Sequence, residues 1–399
     1  MNLSYILGFY MLAALFSYAV LLVLSYRSTP LDAIKEDRNV SLIAPATDND
    51  AAFIVAATKK FLALPLGQVI IVCDGSYQSF AALMNAFDLY DIPGTNVFES
   101  KDKRLMVIRK ISAGSKGHAV NSSLDYVYFP YVFVVDADSV VSADTVNRCM
   151  TRIKQENADA CGIPLRLVNG KGYWGFVQVG EFARAMTLRQ GWANLGLLCN
   201  ISGAAGLFRT SALQQVRYDD STCAEDLHST WSFHSRGYKV TYEETASIGH
   251  EAPCTYATCR SQRIRWHRGL HEALSLVPPR GEYAVLWTWL VIFEVLEVFI
   301  EVFGLCWLAT YHVSSSGWWG LAGTLSFTIL LTILSVLHRR KFDGLTGRQV
   351  LTVCLIAPLE LAIFKPLNIW WRLLGAVAYF KGDRSWEAIP RALEAQSQS

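Results

Sequence analysis

The chain has 399 residues, of which 52% are hydrophobic, and a formal net charge of +2. Its mean hydropathy is +0.25. The near-neutral balance excludes the basic footprint of a nucleic-acid binder, and the apolar excess points to membrane-embedded segments. The nine cysteines are scattered with no C-x-x-C pair, and they read as free thiols of a reducing compartment.

Residues 3–25 carry no charge and reach the roughly 20 residues that a spanning helix needs. Arg27, Lys35 and Arg38 follow this run, whereas a secretory signal would place its positive residues ahead of it. Residues 1–26 therefore read as a retained anchor whose C-terminal end faces the cytoplasm.

From 27 to 280 the pattern becomes that of a soluble α/β domain. Val40–Ile43, Val69–Val72, Leu105–Ile108 and Tyr131–Val135 read as strands, and 50–64, 77–89 and 117–128 as helices. This alternation implies a mostly parallel sheet, with ligands bound beyond the carboxyl ends of its strands. Asp74 follows one such end, and Asp136 and Asp138 follow another.

Asp74 alone also reads as a turn or helix-cap residue. Asp136-Ala137-Asp138 offers two hard oxygen ligands to Mg²⁺ or Mn²⁺. Asn200 to Gly206 is a loop of small residues, with Ser202 and Gly203 permitting close backbone approach. Glu225-Asp226 opens a helix, where acids are favoured for the macrodipole alone. Further on comes Gln262-Arg263-Ile264-Arg265-Trp266. On a helix, Gln262 and Trp266 share a face, with Arg265 beside Gln262. Arg265 can hold a phosphate and Trp266 can stack on a sugar, although Arg263, Arg265 and Arg268 also suit a membrane-surface helix.

The tail, residues 281–340, holds two more apolar runs at about 284–310 and 317–337. His338, Arg339, Arg340 and Lys341 mark a cytoplasmic side after the second. Glu294, Glu297 and Glu301 fall on one face of the first, where they read either as a functional group or as carboxylates that cap or pair against the catalytic domain. Residues 349–380 are apolar but interrupted by Pro358 and Pro366. The stretch 341–399 is expected to form an interfacial or re-entrant element and a cytoplasmic tail.

The order Asp74, Asp136-x-Asp138, Glu225-Asp226, then Q-x-x-R-W resembles the signature of membrane-bound family-2 glycosyltransferases of the processive type. These include the poly-N-acetylglucosamine, chitin, hyaluronan and cellulose synthases. Lys116-Gly117-His118-Ala119-Val120-Asn121 resembles the G-K-A-x-A-L-N block that precedes D-x-D in that family. Pro45-Ala46-Thr47 stands where the family has P-x-Y-N-E, with Asn49 or Asp50 in place of its acid, and Ala224 replaces the Thr of T-E-D. Glu181-Phe182 with Arg189-Gln190-Gly191-Trp192, and Arg372, Gly375 and Lys381 to Trp386, resemble patterns of one bacterial branch.

The resemblance implies a GT-A-type, Rossmann-like glycosyltransferase domain combined with transmembrane helices. It assigns the donor to Asp74 (uracil), Lys116, Asp136, Gln262 and Arg265 (pyrophosphate). It assigns the metal, Mg²⁺ or Mn²⁺, to Asp136 and Asp138, and catalysis to Asp226 as base with Glu225 beside it. It assigns the acceptor to Trp266, Ser202 and Gly203. The implied reaction is inverting transfer from a UDP-sugar, with UDP-N-acetylglucosamine or UDP-glucose favoured, to a growing β-linked polysaccharide exported across the plasma membrane. The catalytic domain would be cytoplasmic. Single transfer to a lipid acceptor is the alternative, and a non-catalytic sugar-binding or transport protein is a third reading. Membrane lipids are expected partners and nucleic acid is not; accessory subunits are not specified.

Overall fold

The computed structural model describes residues 3–46, 51–111, 115–300, 302 and 315–383. Expectations for 47–50, for Glu301 and the end of the 284–310 run, and for 384–399 therefore lie outside the described residues. The chain forms two compact units. One comprises 29–165 and 200–250; the other comprises 1–28, 166–199 and 251–399. The expected 27–280 domain thus contributes residues to both.

The chain opens with α1 (Leu3–Ser25), in the second of these units. The first unit then begins with β1 (Val40–Ala46), α2 (Ala51–Leu62), β2 (Gln68–Asp74) and α3 (Tyr77–Ala86). The edge strands β3 (Leu89–Asp91) and β4 (Val97–Ser100) follow, then β5 (Leu105–Lys110), α4 (Lys116–Ser123), β6 (Tyr131–Val135) and α5 (Ala143–Gln155). After β7 (Ala160–Gly162) the chain leaves through β8 (Leu165–Leu167) into α6 (Gly172–Ala193) of the other unit. It returns as β9 (Ala205–Arg209), α7 (Thr210–Val216), α8 (Glu225–Ser235) and β10 (Val240–Tyr242), and leaves again after β11 (Ile248–His250).

The nine strands of the main sheet run β10-β7-β9-β6-β1-β2-β5-β4-β3. The central set β6-β1-β2-β5 is parallel, and antiparallel pairs flank it on both sides. β2 and β6 are buried along their whole length, which is why they read as unbroken apolar runs. The chain builds outward from β1 to β2 and β5, then crosses back to β6 on its other side. That reversal is the switch point at which such sheets bind ligands. Asp74 is the last residue of β2, Lys110 the last of β5, and Asp136 follows β6. Gly75 turns the chain with φ +73°, and Ser76 then caps α3 by accepting a hydrogen bond from the Ser79 amide at 3.3 Å.

The short strands β3, β4, β7, β9 and β10 were not among the expected elements, since three to five residues leave no clear periodicity. The helix expected over 117–128 ends at Ser123, followed by a single 3₁₀ turn at Leu124–Tyr126.

The other unit is helical. α6 and α9 (Tyr256–Leu276) join α1, α10 (Tyr283–Leu290) and the helices Ser315–Asp343, Gly347–Leu359 and Lys365–Phe380. Gly8–Ser25, Tyr283–Ile300 and Gly347–Phe380 are long and apolar enough to cross a membrane. Helical structure continues from 347 to 380 despite Pro358 and Pro366, with a π-turn at Glu360–Phe364 just before the second proline. A second π-turn, Val291–Val295, follows α10. Arg372 pairs with Glu297 at 3.0 Å and with Glu294 at 3.5 Å. These two carboxylates therefore pair with a tail helix of their own unit.

Candidate active site

Six segments of the sheet unit converge at the carboxyl ends of the parallel strands: the ends of β2 and β5, the start of α4, the turn after β6, the loop before β9 and the start of α8. The register of β2 on β5 sets Asp74 beside Lys110, and their side chains pair at 2.9 Å with the carboxylate fully buried. Lys110 Nζ also lies 2.7 Å from His118 Nδ1. An ammonium has only donors, so this nitrogen accepts and the ring carries its proton on Nε2. Lys110 was absent from the sequence-derived candidates. Its signal was available, because it ends the strand adjacent to Asp74, but the partnership is visible only once the register is known.

Lys116 opens α4, where Ser115 caps the helix by accepting from the His118 amide. Its ammonium donates to Asp136 Oδ1 and to the Gly203 carbonyl. Burial alone would push the ammonium down, but Asp136, Glu225 and Asp226 together hold it above its ordinary value. Asn121, on the same helix, spends both ends of its amide on the Tyr218 backbone at 2.8 and 3.0 Å. It fastens the 218–223 segment to α4.

Asp226 lies in the first turn of α8. Its Oδ2 accepts from the Gly203 amide at 2.8 Å and from Asn200 Nδ2 at 3.2 Å, and its Oδ1 accepts from the Leu227 amide at 2.8 Å. Thr230 fixes the geometry from below: its hydroxyl donates to the Asp226 carbonyl at 2.7 Å and accepts from the Ile201 amide at 2.9 Å. The small-residue loop and the helix start are thus one rigid assembly. Ser202 bonds within its own loop, accepting from the Ala204 amide. Burial pushes the Glu225 carboxyl up to about 7, aided by the neighbouring Asp226 charge and opposed by Lys116. Asn200 and Thr230 are the contributors that sequence patterns did not single out.

Among the described residues no three His, Cys, Asp or Glu side chains are grouped as a ready metal site. A divalent ion would rest on Asp136 and Asp138 and take the remainder of its shell from phosphate and water, as Mg²⁺ usually does. The donor set suits that role. Both are hard carboxylates in the turn after β6, both half-buried, with the Asp136 side chain 32% exposed.

A half-buried lysine clasped by a carboxylate beside a pre-oriented aspartate suits a negatively charged leaving group and a hydroxyl nucleophile. Comparison with known proteins agrees. The model described as Glycosyl transferase family group 2 matches residues 131–363, more than half of the chain, and Glycosyl transferase family 2 matches residues 41–216. The chain belongs to glycosyltransferase family 2. It is 30% identical over 211 residues to a poly-beta-1,6-N-acetyl-D-glucosamine synthase of Staphylococcus aureus, covering 52% of this chain and 48% of that protein. The synthase of the same name from Staphylococcus epidermidis is 29% identical over 217 residues, covering 53% and 50%. The matched stretch thus spans about half the length of these relatives. The mannosyltransferase PcManGT from Pyrobaculum calidifontis, solved with GDP-Man and Mn²⁺, superposes with a TM-score of 0.56 at 16% identity, covering 95% of this chain and 99% of that one. The glycosyltransferase has the GT-A fold.

The Q-x-x-R-W residues of this family 2 enzyme sit on α9, in the helical unit. Thr255 and Thr258 form a reciprocal capping box that starts the helix. Gln262 is buried, while Arg265 and Trp266 are half-buried. The Arg263 guanidinium lies over the Trp266 ring at 4.3 Å and pairs with Glu181 of α6 at 2.6 Å. The structure therefore brings together Asp74, Lys116, Asp136, Ser202, Gly203 and Asp226 in the sheet unit, and carries Gln262, Arg265 and Trp266 in the other.

Proposed function

We propose that this enzyme transfers a sugar from a UDP-sugar, with inversion, to a growing β-linked polysaccharide at the membrane. The observation that carries the reading is the Asp226 carboxylate, held by the Gly203 amide and Asn200 beside the Lys116–Asp136 pair. Asp226 takes the proton of an acceptor hydroxyl as its oxygen bonds to the anomeric carbon. The bond from that carbon to the diphosphate breaks on the opposite face, and UDP leaves. An α-linked donor then gives a β-linked product. Asp74 and Lys110 hold the nucleoside, and Lys116 stabilises the charge developing on the diphosphate. A divalent ion on Asp136 and Asp138 would neutralise the same diphosphate.

Gln262 and Arg265 as pyrophosphate ligands, and Trp266 as an acceptor platform, enter on the family resemblance. Relatives named poly-beta-1,6-N-acetyl-D-glucosamine synthase support UDP-N-acetylglucosamine as donor. The apolar helices support residence in the plasma membrane with the sheet unit in the cytoplasm. The Lys365–Phe380 helix packs along α9, which carries Arg260, Arg263, Arg265 and Arg268; this supports an interfacial course for that helix.

The test is product size. Membranes carrying the protein and supplied with labelled UDP-N-acetylglucosamine or UDP-glucose should yield an enzymatically digestible polymer. The product should disappear with Asp226→Asn, whose expected loss in kcat is about a thousandfold or more. A solvent-extractable monoglycosyl lipid would establish the lipid-acceptor reading instead, and no UDP release with any donor would sink both.

A further inference from the structure

Trp266 does not stand alone on α9. Arg263 precedes it by about one turn, and its guanidinium carbon lies over the indole at 4.3 Å from the ring centroid, within the range of a strong cation–π contact. The Arg263 side chain is 4% exposed, and Nη2 is fixed by Glu181 Oε2 at 2.6 Å. Its Nε is buried with no hydrogen-bond partner among the described residues. The guanidinium has thus forgone a hydrogen bond at Nε while staying over the ring. Phe182, the neighbour of Glu181, meets Trp266 from α6 at 6.4 Å between ring centroids.

A simple tether between α6 and α9 would not need this arrangement. One turn earlier Gln178 of α6 already donates to the Pro253 carbonyl and reaches Cys259 Sγ at 3.6 Å. Arg184 of α6 pairs separately with Glu360 and reaches the Thr332 hydroxyl at 2.6 Å. Arg263 is distinguished by the ring beneath it. A guanidinium desolvated on a ring face and pinned at its far edge removes the side-chain freedom that an exposed tryptophan would lose on binding a sugar.

We propose that Glu181 and Arg263 are positioning residues that lock the Trp266 ring in the orientation in which it meets the acceptor sugar. This rests on the acceptor reading of Trp266 given above. Neither residue touches substrate, so their loss acts on the ring.

The test uses the full-length protein in detergent, labelled with 5-fluorotryptophan. The ¹⁹F resonance of Trp266 is identified by its disappearance in Trp266→Phe. It should shift or broaden in Glu181→Gln and in Arg263→Gln, while the other resonances stay in place and certify the fold. With UDP-N-acetylglucosamine and a β-1,6-linked N-acetylglucosamine oligosaccharide, both variants should raise the oligosaccharide KM roughly five- to tenfold. Their kcat and donor KM should stay within about twofold. In a Trp266→Ala background, adding Arg263→Gln should change that KM by less than about twofold, because the ring it acts through is gone. Glu181→Asp should restore part of the loss. An unmoved Trp266 resonance, or an equal KM increase in both backgrounds, overturns the proposal. Loss of the whole spectrum in both single variants overturns it too, since the pair would then hold the fold. An unchanged oligosaccharide KM in Trp266→Ala sinks the acceptor reading instead, and the resonance still decides whether the pair orients the ring.

Discussion

The Gly203 amide donates to Asp226 Oδ2 at 2.8 Å, and a Cβ at Gly203 would stand 3.4 Å from that same oxygen. That separation is ordinary contact, so Gly203→Ala should fold with an unchanged melting temperature. The added methyl would occupy the space above the proposed base, where an acceptor hydroxyl must approach. The expected loss is about tenfold or more in kcat/KM for the acceptor, with donor KM unchanged. Steady-state kinetics beside a thermal melt check it, and a variant as active as the parent would place the acceptor elsewhere.

Lys116 bridges Asp136 and the Gly203 carbonyl, and so joins the turn after β6 to the loop before β9. Lys116→Met leaves the Asp136 carboxylate without its cation. Donor KM should rise roughly tenfold or more, and the melting temperature should fall. Lys116→Arg keeps the charge, but its planar fork cannot reproduce a point contact to two converging acceptors, and it should fall between the two. The folded ammonium titrates above the ordinary 10.5. Its stabilising contribution is therefore complete below that pH and is lost only as pH rises through the folded value. The gap in melting temperature between the parent and Lys116→Met should persist without narrowing from pH 7 to 9, because Glu225 loses in the variant the cation that opposes its upward shift.

Glu225 has the opposite sign. Burial lifts its folded value from 4.5 to about 7. The folded state thus binds the proton more tightly than the unfolded one, and stability drains away as pH rises from about 4.5 to about 7. Glu225→Gln mimics the protonated form and escapes that loss. Its melting temperature should gain on the parent steadily between pH 5 and pH 7 and then hold a constant lead. A lead that fails to grow over that interval would show that Glu225 is solvated in the folded protein.

Much of this was legible in the chain because the fold stores its chemistry at strand ends. An apolar run that stops at Asp74, and another that stops at Asp136, announce a carboxylate at the ligand-binding edge. The helix-opening Glu225-Asp226 and the Gly203 loop were visible as local patterns. What stayed hidden was pairing set by register and packing. Lys110 meets Asp74 only because β5 lies parallel to β2, Thr230 braces Asp226 from the next turn of α8, and Glu181 reaches Arg263 from another helix. The outer strands were hidden for a different reason: Leu89–Asp91 and Val240–Tyr242 are too short to display an alternation.

Gly375 makes the final case, because two physical effects on it oppose each other. It lies in the Lys365–Phe380 helix where that helix crosses α9, and a Cβ there would meet His267 Cβ at 2.8 Å, the Ile264 carbonyl oxygen at 2.9 Å and the Arg268 amide nitrogen at 3.0 Å. Helix propensity favours Gly375→Ala by about 1 kcal/mol. Two of the three obstructing atoms are backbone, however, and cannot rotate aside, so the helices must separate. Overpacking of this kind costs about 1–3 kcal/mol. The clash should win, and Gly375→Ala should lower the melting temperature. Gly375→Leu, which forces a wider separation, should lower it further and also reduce turnover by moving the helix that carries Gln262, Arg265 and Trp266. If Gly375→Ala melts at or above the parent temperature, propensity has won and the two helices stand further apart than the structure places them.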